Sequence, residues 1–408
     1  MTRTRMAAWT LLLTIAVSAL ALVPDTVRGC PFCSAPSLTL SEQFSKADAA
    51  VLVKWVGGEM PKAEQPGSTT YEIVEAPRTP FKSVAKGKKI TLERYRAGKK
   101  GSLALLFGSR TKGEVIEWGG PLEVTETSYK YIAEAPAADA PPEKRLGYYL
   151  KFLEFSEDTV SNDAYAEFAN APYKDIVPLA DEMPREKLRE WIMNPKTPAS
   201  RIGLYGLMLG LCGTADDVAL MEKKIVEQTE DFRLGIDGVI GGYLLLTGED
   251  GLKVIEDSKL LNKKAPFAET YAAMQALRFM WSFGNGRIAP DRLKSSMRLL
   301  IDRPELVDLV IADLARWKDW SLQERLMNLY GVEEYNVPSI KRAIIRYMIA
   351  STKDVPASPE TAQAGSAGAT DGSSEKKLPV HAVAGAKYLE KLREKDPKNV
   401  SEAERFFF

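Results

Sequence analysis

Histidine is almost absent from this chain of 408 residues, and cysteine is scarce: there is one histidine, His381, and there are three cysteines. A Ser/His/Asp or Cys/His catalytic arrangement and a zinc site with several histidines are therefore excluded. The carboxylates are scattered along the chain without a pair that suits glycoside hydrolysis. We predict no enzymatic activity, no cofactor and no bound metal.

An excess of charge of one sign is also lacking, because 55 Lys and Arg residues balance 55 Asp and Glu residues. A protein that neutralises nucleic acid over a wide surface normally carries a basic excess, so no nucleic-acid partner is expected. The composition that is present, 45% hydrophobic and 27% charged residues, is that of a globular protein and excludes disorder for most of the chain. Two or three domains are expected at this length.

Residues 1–29 have the pattern of a secretory signal peptide. Two arginines precede an apolar run over residues 7–23, and a polar stretch leads from there to Cys30. We predict cleavage before Cys30, with cleavage after Ala21 as the alternative, and therefore an exported protein that is secreted or periplasmic. Two minority interpretations are an uncleaved membrane anchor and a lipid attached to Cys30. No membrane span is expected after cleavage.

Cys30 and Cys33 form a Cys-x-x-Cys motif at the predicted mature N-terminus. In an oxidising compartment such a pair is a structural disulfide, a redox dithiol or half of a metal site. We favour the structural disulfide, because no strand precedes Cys30 to place the pair at a helix N-terminus and because a metal site would lack two ligands. Cys212 remains as a free thiol at an apolar helix end.

Residues 30–155 are predicted to form a β-rich domain. Their hydrophobicity alternates with a period near two, which is typical of strands, and glycines separate the alternating segments. No segment between them is long enough for a crossover helix, so a small barrel or sandwich is expected. The candidate strands are residues 49–56, 69–74, 89–95, 102–107 and 122–132.

The same region resembles a netrin-like domain, the OB-type barrel shared with tissue inhibitors of metalloproteinases. The resemblance lies in the N-terminal Cys motif and in residues 47–56 (ADAAVLVKWV), 71–92 (YEIVEAPRTPFKSVAKGKKITL) and 101–107 (GSLALLF). Family members usually tether the Cys motif to cysteines further along the barrel, and this sequence has none between Ser34 and Leu211. The resemblance therefore implies the fold and not an inhibitor function.

A strongly basic run occupies residues 82–100 of this domain. We favour the interpretation of a solvated hairpin whose charges keep a sheet edge soluble. The alternative is a face that binds an acidic polymer or a nucleic-acid strand, with Tyr95 as a stacking surface. The cations are Lys82, Lys86, Lys88, Lys89, Arg94, Arg96, Lys99 and Lys100, and Glu93 is the one acidic residue among them.

Residues 156–350 are predicted to be entirely helical. Prolines at first-turn positions (Pro184, Pro198, Pro290, Pro304, Pro338) and the capping pattern that begins at Thr214 mark helix starts. Small and large residues also recur every 35 residues, which indicates stacked helical pairs in an α-solenoid. The repeats resemble the HEAT type. The recurring sets are Gly203/Gly238/Ala273, Gly206/Gly241/Ala276, Leu204/Val239/Met274, Leu209/Leu244/Phe279 and Leu211/Leu246/Trp281.

The rest of the chain yields two more predictions. Trp317 and Trp320 alternate with charged residues, a composition found at binding surfaces, although core packing is the more common role of such residues. Residues 351–377 have the composition of a flexible linker, and residues 378–408 are predicted to be a helix with a tail. This helix either docks on the helical domain or serves as a partner segment.

The predicted fold class is thus multidomain, a small OB/netrin-like β-barrel followed by an all-α HEAT-like solenoid. Both folds commonly present binding surfaces, so we expect an exported binding or scaffold protein. The expected partner is a protein, with an acidic polymer as the second class. The alternative function is that of an extracytoplasmic thiol-disulfide protein using Cys30 and Cys33.

Overall fold

The computed structural model describes residues 29–33, 38–62, 66–113, 115–229, 231–355 and 378–405. The predicted signal peptide, apart from Gly29, and most of the predicted linker lie outside these residues. Contacts divide the chain into two compact units, Met1–Met183 and Pro184–Phe408. The sequence predicts a change from the β-rich to the helical domain between residues 155 and 156. The boundary between the two compact units lies later, between residues 183 and 184, because the first helices after the sheet belong to the first unit.

The strands are β1 (Ala49–Glu59), β2 (Ser68–Arg78), β3 (Lys89–Leu92), β4 (Leu103–Arg110), β5 (Ile116–Trp118) and β6 (Leu122–Glu123). The helices of the first unit are α1 (Leu40–Lys46), α2 (Glu126–Glu134), α3 (Pro142–Tyr149), α4 (Asp158–Asn170) and α5 (Tyr173–Ile176). Those of the second unit are α6 (Arg185–Met193), α7 (Ala199–Cys212), α8 (Ala215–Val226), α9 (Ile236–Thr247), α10 (Leu252–Ile255), α11 (Phe267–Phe283), α12 (Pro290–Arg298), α13 (Val307–Arg316), α14 (Gln323–Leu329), α15 (Pro338–Lys353), α16 (Val380–Lys395) and α17 (Pro397–Arg405).

The six strands form one antiparallel sheet that curls into a nearly closed barrel. The strand order is β3-β2-β1-β4-β5, and β6 also pairs with β4. Alternate side chains of neighbouring strands meet on the inner face, as the period of two predicts. The first four predicted strands are confirmed. The buried core consists of Val51, Val53, Tyr71, Ile73, Ile90, Leu92, Ala104 and Leu106.

The predicted strand at residues 122–132 is wrong over most of its length. Only Leu122 and Glu123 pair in the sheet, and α2 begins at Glu126. Thr125 and Ser128 form a capping box, because each side-chain oxygen accepts a hydrogen bond from the backbone N–H of the other residue. This cap starts a helix in spite of the alternating pattern. Strand β5 has three residues, too few to show a periodicity, and the sequence does not predict it.

Alternate helices pack against each other in the second unit: α7 on α9, α9 on α11, and α13 on α15. Among its described residues there is no strand, as predicted. Most of the predicted helix starts are confirmed: Pro184 and Pro198 directly precede α6 and α7, Pro290 and Pro338 are the first residues of α12 and α15, and Thr214 forms a capping box on α8. Pro304 instead precedes α13 in a turn.

The backbones of α7 and α9 touch through glycines. A Cβ atom at Gly238 would collide with the carbonyl oxygen of Gly203, and one at Gly242 with the carbonyl oxygen of Gly206. The predicted role of the recurring glycines in close helix packing is therefore confirmed here. Gly206 in turn lies against the backbone of Gly238 and Val239.

Carboxylates buried in the second unit are paired with cations from other helices. Asp217 is fully buried at the start of α8, and its two oxygens lie 2.7 Å from Arg185 Nε and 2.5 Å from Arg189 Nη1, both on α6. Such pairing is required, because an isolated buried carboxylate is strongly unfavourable. Three other buried carboxylates are paired: Glu269 with Lys259 and with Arg233 of the segment before α9, Asp313 with Arg278, and Asp319 with Arg298; the half-buried Glu256 pairs with Arg292.

The C-terminal helix docks, which confirms one of the two predicted alternatives. Helix α16 packs on α14 and α15, and α17 packs on α15. The side-chain amide of Gln323 donates to the His381 carbonyl at 2.8 Å and to the Ser351 hydroxyl at 2.9 Å. Tyr330 donates its hydroxyl to Asp396 at 3.0 Å. These bonds fix both ends of α16 to the helices that precede the linker.

We predict that Gly242→Ala lowers the free energy of unfolding by roughly 1–3 kcal/mol, even though alanine is the better helix former. The added methyl group has no space between α7 and α9. Urea denaturation followed by far-UV circular dichroism measures the change. The matched control is Gly147→Ala on α3, where the nearest group is the movable Glu182 carboxylate at 3.2 Å. An equal effect of the two substitutions would contradict the glycine contact.

Candidate functional site

The predicted disulfide is present. Cys30 and Cys33 are bonded, with their Cα atoms 5.4 Å apart. Cys30 is 7% exposed, and its backbone N–H donates to the carbonyl of Ala169, at the end of α4, at 3.0 Å. Cys212 is free and half-buried, and burial raises the pKa of its thiol to about 11, which disfavours the reactive thiolate.

Two acidic residues of α4 hold the segment that follows the disulfide. Asp163 accepts from the Leu40 backbone N–H and from the Tyr131 hydroxyl, each at 2.7 Å. Glu167, one turn later, accepts from the Ser41 hydroxyl and pairs with Arg145 at 2.7 Å. Burial raises the pKa of Asp163 to about 6. These contacts anchor α1 and explain the two buried acids without a catalytic role.

We predict that the first unit loses stability as the pH rises from about 4 to about 6. A pKa that is raised from 3.8 to about 6 in the folded state means that the folded state binds more protons than the unfolded state in this window. The contribution of Asp163 to stability is therefore present below pH 4 and lost above pH 6, a change on the order of 3 kcal/mol.

Urea denaturation at several pH values measures this change, and Asp163→Asn should remove that part of the pH dependence. Tyr131→Phe is the second variant. It deletes a hydrogen bond to the ionised carboxylate, so it should destabilise the protein more at pH 7 than at pH 4. A wild-type and an Asp163→Asn profile that run parallel would contradict the prediction.

All eight residues of the basic run are exposed. Within the described part of the chain, none of them lies within ion-pair distance of a carboxylate, whereas many arginines elsewhere are paired. Four of the eight residues line two separate places. Lys82 and Lys86 line a shallow depression beside Phe81, and Arg96 and Lys99 line a more enclosed cleft.

The segment that carries Arg94, Arg96 and Lys99 is pinned to the barrel although it is not a strand. The buried Thr69 hydroxyl donates to the Arg94 carbonyl and accepts from the Arg96 N–H, both at 2.7 Å. The indole of Trp55 donates to the Arg96 carbonyl at 3.1 Å. These bonds fix the backbone of Arg94 and Arg96 before any partner binds, which reduces the backbone entropy lost on binding.

The cleft has a volume of about 730 Å³ and lies entirely within the first unit. Its floor comes from β1, β2 and β4, one wall from the segment after β3, and the other from β6 and the starts of α2 and α4. Sequence analysis identifies its cations but misses the residues opposite them. The sequence carries only a weak signal for these residues. Trp55 and Tyr71 continue the alternation of side chains that point into the barrel, and Thr125 and Ser128 are the cap of α2. The main lining residues are Trp55, Tyr71, Arg96, Lys99, Leu103, Ala104, Glu123, Val124, Thr125, Ser128 and Glu157.

The two tryptophans of the predicted partner surface make contacts within the chain. Trp317 is 4% exposed and stacks on Trp281 with ring centroids 4.4 Å apart, as expected for the core-packing role that is the more common one for such residues. Trp320 is half-buried, donates its indole N–H to Asp354 at 2.7 Å and stacks on His381 of α16. Both tryptophan rings thus pack on other rings of the same chain, which buries apolar surface.

The part of the chain that the structure describes contains no cluster of three or more acidic, His or Cys side chains that would hold a metal ion. Among the same residues, every helix is too short or too polar to cross a membrane.

The fold and the cleft define a protein with a nearly closed β-barrel region, which carries a polar cleft, followed by a helical region. No protein-family model, curated protein or solved structure matches the chain. The netrin-like and HEAT-type resemblances therefore rest on the sequence patterns alone.

Proposed function

We propose that the protein is an exported binding or scaffold protein that binds an acidic partner through the exposed cations of residues 82–100. The single observation that supports this most is that all eight cations are exposed and that, within the described residues, none forms an ion pair, although Lys89 lies opposite Glu72 on β2. Unpaired charges of one sign attract a partner of the opposite sign and accelerate its association. An acidic protein surface or an acidic polymer meets this requirement.

We further propose that the barrel is of the OB type, similar to netrin-like domains, and that the helices of the second unit form a HEAT-like α-solenoid. Packing of α7 on α9 and of α9 on α11 supports the second assignment. Ion pairs support it too, because Arg233 and Glu269, Arg292 and Glu256, and Arg278 and Asp313 are separated by 36, 36 and 35 residues, close to the repeat length. A solenoid provides a second, extended surface for a protein partner.

We predict that the full-length mature protein stays bound to heparin resin at about 0.15 M salt. Replacing Arg94, Arg96, Lys99 and Lys100 together by alanine should cause elution at lower salt, because fewer cations face the polymer. The readout is the salt concentration at the elution peak.

The matched control removes the same number of positive charges elsewhere in the first unit, at the exposed Lys62, Lys112, Lys151 and Lys174. This variant should elute close to the wild type. Equal shifts for the two variants would show that net charge alone matters, and elution of the wild type at low salt would contradict the proposed function.

Export and the role of the disulfide are tested by intact-mass analysis of protein secreted by a bacterial host. We predict a mature chain that begins at Cys30 and takes up at most one alkyl group before reduction, at Cys212. After reduction in denaturant it should take up three. A chain that retains residues 1–29 would contradict export. Rapid alkylation of Cys30 in native protein would favour the thiol-disulfide alternative over a structural bond.

A further inference from the structure

The cleft of the first unit carries opposite charges on its two walls. Arg96 and Lys99 lie on one wall, and Glu123 and Glu157 on the other. Burial raises the pKa of the Tyr71 phenol, while the Arg96 charge lowers this pKa and the Glu123 charge raises it. The Tyr71 side chain, which also lines the cleft, is therefore close enough to a cation and to a carboxylate to be affected by both.

Two of the charged side chains that face the cleft, Arg96 and Glu123, are not paired with other described side chains. Within the described residues, Arg96 and Glu123 have no side-chain partner in a hydrogen bond or ion pair, and both are exposed. Glu157 is oriented, because the Thr125 hydroxyl lies 3.0 Å and 2.9 Å from its two oxygens. Each carboxylate oxygen keeps the capacity to accept another hydrogen bond.

This arrangement selects among acidic ligands. A polymer with negative charge on all sides, such as polyphosphate or a nucleic acid, would place charge against Glu123 and Glu157. A ligand with a carboxylate on one edge and hydroxyl groups on the other avoids this repulsion. Its carboxylate meets Arg96 and Lys99 in charge-assisted hydrogen bonds. Its hydroxyl groups donate to carboxylates, which in the ionised form only accept hydrogen bonds.

The floor and the size of the cleft fit the same kind of ligand. Trp55, Leu103, Ala104 and Val124 provide apolar surface between the charged walls. The C–H faces of a sugar ring pack on aromatic and aliphatic surface of this kind. A volume of about 730 Å³ lies within the roughly 300–1,000 Å³ that small-molecule sites occupy. The cleft therefore has room for a short oligosaccharide.

We propose that the cleft binds the acidic sugar units, the uronates, of a polysaccharide. The carboxylate of one unit lies at Arg96 and Lys99, and its hydroxyl groups donate to Glu123 and Glu157. This inference rests on the proposed function, because it identifies the acidic partner as a carbohydrate and assigns part of the basic surface to its recognition. The remaining cations of residues 82–100 attract the polymer from outside the cleft.

The test is isothermal titration of the full-length mature protein with a trimer of galacturonic acid. The neutral galactose trimer and a glutamate trimer are the comparison ligands. We expect the uronate trimer to bind and each comparison ligand to bind at least about tenfold more weakly, since each lacks one of the two recognised groups. Arg96→Ala should weaken uronate binding about tenfold or more.

Glu123→Ala is the most discriminating variant, because it should change the affinities for the two acidic trimers in opposite directions. It should weaken binding of the uronate trimer, which loses a hydrogen-bond acceptor, and strengthen binding of the glutamate trimer, which loses a repulsive charge. Lys174→Ala, which removes an exposed positive charge outside residues 82–100 and outside the cleft, is the control and should leave uronate binding unchanged. All three residues are exposed, and thermal unfolding of each variant verifies that it remains folded.

Two outcomes separate the inference from the proposed function. Equal binding of uronate and glutamate trimers, or tighter uronate binding by Glu123→Ala, would overturn the sugar site while retention on heparin still supported an acidic partner. Absence of binding to the uronate trimer together with elution from heparin at low salt would overturn both.

Discussion

The helical unit depends on burying carboxylates that arginines and lysines of other helices neutralise. Asp217 and Asp313 are fully buried, and each contacts two arginines. Loss of one partner from such a pair is strongly destabilising, because the remaining charge is left without solvent. The ion pairs therefore constrain which helices pack against each other. A helix that was shifted or exchanged would leave a buried acid unpaired, and the observed packing order pairs every buried acid named above.

The balanced net charge of the chain hides an uneven distribution. In the helical unit several arginines are paired with buried acids, whereas the basic run of the barrel unit faces water and forms no ion pair among the described residues. Exposed charges of this kind add little to stability. The bonds from Thr69 and Trp55 nevertheless fix the backbone that carries Arg94 and Arg96, so these two side chains start from defined positions on the barrel.

Hydrophobic periodicity predicts the strands and helices that have enough residues to show a period, and it fails where a few polar atoms decide the outcome. The alternation of residues 122–132 predicts a strand, but the reciprocal bonds of Thr125 and Ser128 start α2. The basic run is visible in the sequence. Glu123 and Glu157 cannot be recognised as part of the site from the sequence, because they lie far along the chain and line the same cleft as Arg96 only in the folded barrel. The paired acids of the helical unit do leave a signal, a recurrence of opposite charges near the 35-residue period.

The docking of α16 and α17 has a consequence for self-assembly. A stack of similar helices that ended on an uncovered apolar face would offer that face to the first helices of another copy, and such head-to-tail contacts grow into filaments. Here α16 and α17 bury Leu389, Leu392, Val400 and Ala403 where they pack on α14 and α15. The charged outer residues of α16 and α17 face solvent, so α14 and α15 have part of their apolar surface covered within the chain itself.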